Sequence, residues 1–332
     1  MGPTREGWSY RNHYIKFREL KLKTYMRVYF KCCLLLIVFI MFTSLLYSQV
    51  NSHKIYLKVL GTVQDGGAPH IACEKKCCKN LSPQEKANRK ITCLEVFQPE
   101  TKHSILFEAT PDIVSQWKSL SYPLKGIYLT HAHIGHYSGL LHLGREALGS
   151  KEIPVYAMPK MRSFLENNAP WSQLVDLKNI ELFTLEDRKP SMPLQNLKVT
   201  PILVPHRDEF SETVGYKIKG PNKTVLFVPD IDKWSLWEED LITLLQEVDI
   251  AFIDATFFNS EEVNYRPLSE IPHPLVTETL TYLKNENINL KNKIYFIHMN
   301  HTNPLLDKNS EASNFVLKKG FNIAQIGYQF EL

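Results

Sequence analysis

Short apolar, β-branched runs recur along the chain at 54–61, 90–97, 104–109, 125–130, 153–158, 179–185, 197–204, 214–219, 223–228, 248–254, 292–298 and 321–330. Runs of this length and composition predict strands. Helical patterns are fewer and lie between them, clearest at 111–120, 136–148 before Gly149, 159–167, 235–247, 275–285 and 310–319 before Gly320. Twelve strands crowd a single open sheet, whereas two packed sheets flanked by helices bury all of them. The expected fold class is therefore α+β, a four-layer αββα sandwich of two mixed sheets. No repeat or long linker interrupts the chain after residue 52, so 52–332 is expected to form one domain. In this layout the loops after strands collect along an edge. The polar residues of interest sit at such places: His131 after 125–130, His206 after 197–204, Asp230 after 223–228, Asp254 after 248–253 and His298 after 292–297.

The N-terminal part reads differently. Residues 1–31 form a basic extension with eight Lys and Arg against Glu6 and Glu19, so a net +6 there leaves −2 on the remainder of a chain whose total is +4. That balance excludes a basic nucleic-acid binder, which needs concentrated positive charge to displace counterions. Cys32 to Tyr47, "CCLLLIVFIMFTSLLY", is an uncharged run of 16 residues preceded by Arg27 and Lys31 and followed by Ser48 and Gln49. It is short for a membrane span of ~20 residues and suits a signal-peptide core. Residues 32–48 are thus expected to be a signal peptide or a membrane anchor, with Met26 an ordinary start for such a leader. Export to a periplasmic or extracellular space follows. If the segment is retained, the basic flank keeps 1–31 cytoplasmic and the rest outside, and the membrane is met only through this segment.

Four of the six cysteines, Cys73, Cys77, Cys78 and Cys93, lie early in the remaining chain. An oxidising compartment favours disulfides. The spacing "CEKKCC", with His70 three residues ahead, equally suits a structural zinc held by His70, Cys73, Cys77 and Cys78. Both readings stay open at this point, with free thiols as a third.

The densest chemical signal is "THAHIGHYSGLLH", where His131, His133 and His136 fall at the junction of a strand and a helix. In extended backbone His131 and His133 project to the same side, and His136 approaches from the helix start. Neutral imidazole is the commonest zinc ligand, and three nitrogens leave one position for a reactive water. His142 is expected on a helix surface. Asp254 suits either a turn or a partner that orients a histidine. His273, between prolines in "EIPHPL", suits a proton-transfer role or a fixed loop. Gly66 and Gly67 fit a tight turn, and no phosphate-loop or Gly-x-Ser-x-Gly motif occurs in 52–332, which argues against a serine hydrolase.

At His131-Ala132-His133-Ile134-Gly135-His136 the sequence resembles the metallo-beta-lactamase superfamily, whose hallmark is His-x-His-x-Asp-His after a strand. The order of "VPHRDEF", "LFVPDID" and "FIHMNHTNP" extends the likeness over about residues 52–332. Within the superfamily the segments "VLGTVQDGGAPHIACEKKCC", "LFEATPDI", "GLLHLGRE" and "HMNHTNP" are similar to the pyrroloquinoline quinone biosynthesis protein B group, whose members tend to lack the paired histidines kept here. The resemblance implies a first metal on His131, His133 and His206, and a second on His136 and His298, with Asp230 bridging. His301, three residues after His298, is the weaker candidate of that pair. Gly135 stands where the hallmark has its aspartate, so the second site is expected to bind weakly or to stay empty, leaving one or two ions.

The implied activity is hydrolysis by a metal-bound hydroxide of a small-molecule ester, amide, lactone or phosphodiester, with Asp230 and His273 the catalytic candidates. Zinc is the expected cofactor, although iron or manganese suit the same ligands. The alternative is a cofactor-maturation oxidoreductase or carrier like the quinone-biosynthesis proteins.

Overall fold

The computed structural model describes residues 18, 21–23, 25–27, 29–43, 54–263 and 267–332. It divides into two units, Met1–His53 and Lys54–Leu332. In the first, one helix, Lys21–Thr43, spans 23 residues with mean hydropathy 2.0, long and apolar enough by length and composition to cross a membrane. Most of the basic extension ahead of it, and the polar residues Ser48 and Gln49 expected to end the leader, lie outside the described residues.

The second unit holds two seven-stranded sheets. The first contains β1 (Tyr56–Gly61), β2 (Cys93–Gln98), β3 (His103–Phe107), β4 (Leu124–Tyr128), β5 (Ile153–Ala157), β6 (Ile180–Thr184) and β14 (Gln329–Glu331), in the order β14-β1-β2-β3-β4-β5-β6. The second contains β7 (Ser191–Leu194), β8 (Leu197–Leu203), β9 (Val214–Lys219), β10 (Thr224–Val228), β11 (Ile250–Asp254), β12 (Ile294–Ile297) and β13 (Asn322–Ile323), ordered β13-β12-β11-β10-β9-β8-β7.

Side-chain alternation explains the layering. On β10, Val225 and Phe227 pack between the sheets with Phe107, Tyr128 and Tyr216, while Leu226 and Val228 face a second cluster under helices. On β3, Ile105 and Phe107 take the inter-sheet side and Leu106 the opposite side. Strands covered on both faces need apolar residues at nearly every position, which is why they read as continuous runs rather than alternating ones. The αββα sandwich expected from the sequence is the observed fold.

Three expectations need correction. The run 321–330 is not one strand: β13 and β14 join different sheets, and the chain turns between them at Gly327, whose φ of +91° suits glycine. β7 had no apolar signal because it is a short edge strand containing Pro193, a place where a missing N–H is tolerated. The helix expected at 136–148 is a turn of α-helix, Ile134–Tyr137, continued by 3₁₀-helix, Ser138–Leu143.

Strand directions then place the site. β1, β3 and β4 run the same way, because β2 is antiparallel to both β1 and β3 and β4 is parallel to β3. By the same logic β8, β10, β11 and β12 share a direction. Residues that follow these strands therefore gather at one edge of each sheet.

Candidate metal centre

Asp230, just beyond β10 and 2% exposed, is the hub. Its Oδ2 lies 3.4 Å from His131 Nε2, 3.8 Å from His136 Nε2 and 3.9 Å from His298 Nε2, while its Oδ1 lies 3.3 Å from His206 Nε2 and 3.1 Å from His273 Nδ1. Three groups of donors share it. His131, His133, His206 and Asp230 form one, Asp65, His136, Asp230 and His298 a second, and Asp230, Asp254 and His273 a third, each with its donor atoms within 4.8 Å of one another.

The histidine rings are oriented from behind. Thr130 Oγ1 meets His131 Nδ1 at 2.9 Å, Asp232 Oδ1 meets His206 Nδ1 at 3.1 Å and Thr256 Oγ1 meets His298 Nδ1 at 3.0 Å. Glu108 Oε1 lies 3.2 Å from His136 Nδ1. Each partner occupies Nδ1 and leaves Nε2 aimed at Asp230, the arrangement by which outer groups fix the tautomer of a ligating imidazole. His133 is reversed: its Nδ1 lies 2.8 Å from His131 Nε2, and its Nε2 faces outward to Glu209 at 3.3 Å.

The donors fit a metal ion. Nε2 of His136, Nε2 of His206 and Oδ1 of Asp230 are buried without a hydrogen-bond partner. Buried polar atoms are costly when unsatisfied, and cations held in the first two donor groups would satisfy all three. Electrostatics point the same way. Burial, followed by the His136 ring, holds His131 well below the usual imidazole range. Burial opposes charge at His206 too, but Asp230 and Asp232 overcome it and raise that imidazole to about 9. Burial would raise the Asp230 carboxyl, and the surrounding imidazoles instead hold it far below the usual carboxylate range. Packed anions and imidazoles that must stabilise one another in this way suit a shared cation.

His273 joins this constellation from the loop after β11. Its Nδ1 lies 2.9 Å from Asp254 Oδ2, and Asp254 also accepts from the Ile231 and Thr256 amides. Burial opposes its charge, and the Asp254 and Asp230 carboxylates raise it to about 10. Asp254 is thus the orienting partner rather than a simple turn residue. His142 lies exposed on the 3₁₀ segment, away from these groups.

The six residues His131, His133, His136, His206, Asp230 and His298 are brought together as the sequence suggested. Two others at the site were not anticipated from the sequence. Asp65, in the turn after β1, has its Oδ1 2.8 Å from His136 Nε2 and 3.2 Å from His298 Nε2. Glu108 follows β3 with no exposed surface. The quoted segments "QDGG" and "LFEATPDI" contained both residues, but one acid in a loop has no spacing that marks it.

A second cluster contains Cys73, Cys77, Cys78 and His301, with donor atoms within 4.8 Å of one another. The sulfurs of Cys73 and Cys77 are 4.0 Å apart and those of Cys77 and Cys78 3.9 Å, so the thiols are close but unbonded. Burial and the neighbouring Cys78 push the Cys77 thiol up to about 12, crowding that a bound cation would relieve. The imidazole that lies among these thiols is His301 rather than His70, which the zinc reading had placed there. The His70 ring engages the Ile71 carbonyl through Nδ1 at 3.0 Å and stacks on His301 at 4.5 Å, while its backbone N–H faces Cys78 Sγ. Cys93 is buried in the core instead.

Comparison with known proteins agrees with this architecture. The beta-lactamase superfamily domain matches residues 103–299, more than half of the chain. Coenzyme PQQ synthesis protein B of Methylorubrum populi is 23% identical over 84% of this chain and 100% of its own length. The Pseudomonas putida protein of that name is 24% identical with the same coverage. Among solved structures, zinc-bound PqqB from Methylobacterium extorquens superposes with a TM-score of 0.70 at 21% identity, covering 83% of this chain and 100% of that one. A diphosphatase of the PhnP family gives 0.62 at 22% identity, covering 84% and 97%. The chain belongs to the beta-lactamase superfamily and has the metallo-beta-lactamase fold.

Proposed function

We infer that the chain hydrolyses a small-molecule ester, amide, lactone or phosphodiester at the edge where Asp230 meets the histidines. The observation that carries this reading is the convergence of four imidazole donors on one buried carboxylate, with unpartnered nitrogens and oxygen facing each other. His131, His133, His206 and Asp230 would hold one zinc ion. His136, Asp230, His298 and Asp65 offer a place for another. Zinc bound there supplies a Lewis acid and lowers the pKa of a coordinated water toward ~7.

The protein's own residues have separate tasks. Thr130, Glu108, Asp232 and Thr256 hold ring orientation, so that no rotamer search opposes binding. Asp254 fixes His273, and with Nδ1 tied to two carboxylates, Nε2 is the atom left to give a proton to a leaving group. The helix Lys21–Thr43 supports export or anchoring of the catalytic unit outside the cytoplasm.

The test is a panel of chromogenic esters, lactones and phosphodiesters offered to the zinc-loaded chain and to His131→Ala and His206→Ala. Both variants should lose turnover while melting near the wild-type temperature. Undiminished turnover in both would refute the mechanism.

A second reading, a step in quinone-cofactor maturation, is favoured by the full-length similarity to the PQQ synthesis B proteins. A spectral change on mixing with a quinone precursor, with no product released from the hydrolase panel, would favour it.

A further inference from the structure

The hallmark of the superfamily has a side chain where this chain has Gly135, and the surrounding space shows why no side chain is there. Gly135 is buried at the start of Ile134–Tyr137. A Cβ added to it would lie 2.4 Å from Asp65 Oδ1, 2.7 Å from Asp65 Cγ and 2.6 Å from Asp65 Cα. The last of these is backbone, so a rotamer change at Asp65 does not make room. Asp65 and any side chain at 135 exclude each other.

The Asp65 backbone is itself tied down. Val63 bridges both Ile91 and Met299, the Gln64 amide donates to the Met299 carbonyl at 2.9 Å, and the Met299 amide donates to Thr62 at 2.9 Å. Gly67, with φ +73°, closes the turn by donating to the Gln64 carbonyl. The segment that carries Asp65 is therefore laced to the residue next to His298. This lacing sets Asp65 Oδ1 between His136 Nε2 and His298 Nε2, at 2.8 and 3.2 Å, in the same four-donor group as Asp230.

We propose that Asp65 supplies the second metal with the carboxylate that position 135 lacks, so that the ligand has moved from the helix start to the opposing turn and the site keeps four protein donors. This rests on reading the edge as a metal centre. Its consequence is that two ions bind. A side chain at 135 cannot coexist with the Asp65 backbone where it lies, and Asp65 cannot be lost without loss of the ion.

Zinc per chain, measured by elemental mass spectrometry on the detergent-purified full chain after exhaustive dialysis, tests this without any substrate. Asp65→Asn, which keeps the shape and removes the charge, should bind about one zinc fewer than wild type, as expected when an ion loses its anionic ligand. Gly135→Asp alone should also lose zinc, through collision with the Asp65 backbone. His206→Ala, in the first donor group, is the control for the centre as a whole. If His206→Ala lowers zinc and Asp65→Asn does not, the relocated ligand is wrong and the metal centre stands. If neither lowers zinc, the metal centre itself is wrong.

Discussion

Glu108 Oε1 lies 3.2 Å from Nδ1 of His136, and neither side chain has any exposed surface. Glu108 adopts φ +82°, a left-handed conformation uncommon for a residue with a side chain, and His298 across the site adopts +65°. Both directly follow a strand, and both are turned inward by that conformation. The surroundings tolerate the strain, since the Glu108 amide donates to Tyr128 and its Oε2 accepts from the Thr130 amide. Glu108→Gln should keep the shape and weaken zinc binding at the His136 group by about 10–100-fold. Titration against a chromophoric chelator reads this, and unchanged affinity would mean that the carboxylate charge is irrelevant to His136.

His273 and Asp254 separate proton transfer from metal holding. If His273 Nε2 donates to the leaving group, His273→Asn should lower kcat by about 10²–10⁴ at full zinc occupancy and remove the alkaline limb of the pH profile. Asp254→Asn should give a smaller loss and move that limb to lower pH, because Asp254 is the carboxylate that most raises His273. Loss of zinc in His273→Asn would place the residue among the ligands instead.

The thiol cluster should be structural. Cys78 is buried where the chain leaves the Asp65 turn, and His301 follows His298 by three residues, so a cation there clamps both segments that build the second donor group. Cys78→Ser should remove about one zinc and destabilise the fold by roughly 2–3 kcal/mol, a drop in melting temperature on the order of 5–10 °C. An unchanged melting curve together with full zinc content would show that the cluster holds no ion.

Asp240 gives a stability prediction away from the centre. It caps Leu241–Gln246, accepting from the Ile242 and Thr243 amides at 3.3 and 3.0 Å and from Tyr282 Oη at 3.1 Å. Asp240→Ala should cost about 1 kcal/mol at neutral pH, and Asp240→Asn less. Bonds led by the Thr243 hydroxyl hold the carboxyl below its usual range. A lowered folded value means that this stability is present above the unfolded pKa of ~3.9 and is lost as pH falls through the folded one. Chemical denaturation at pH 7 and pH 3 should therefore show a gap between wild type and Asp240→Ala that narrows in acid.

The sequence by itself determined the layers and most of the centre. Runs such as "TVLFV" are apolar at almost every position because helices cover the sheet on one side and a second sheet covers it on the other, and that composition is local information. His131, His133 and His136 were legible for a similar reason: their spacing at a strand end is a property of one short segment. His206, Asp230 and His298 each follow a strand that could be read from its own residues.

The tertiary structure alone decided which distant residues complete that set. Asp65 is separated from His136 by three strands of sequence, and only the shared direction of β1, β3 and β4 brings their loops to one edge. His301 rather than His70 reaches the thiols because the ring direction of His70 is set by its own turn and by stacking, neither of which is encoded in spacing. Gly135 read locally as a missing ligand. In the folded chain it is the space that lets the Asp65 backbone approach, because which atoms fill a glycine's absent side-chain volume depends on what packs across from it.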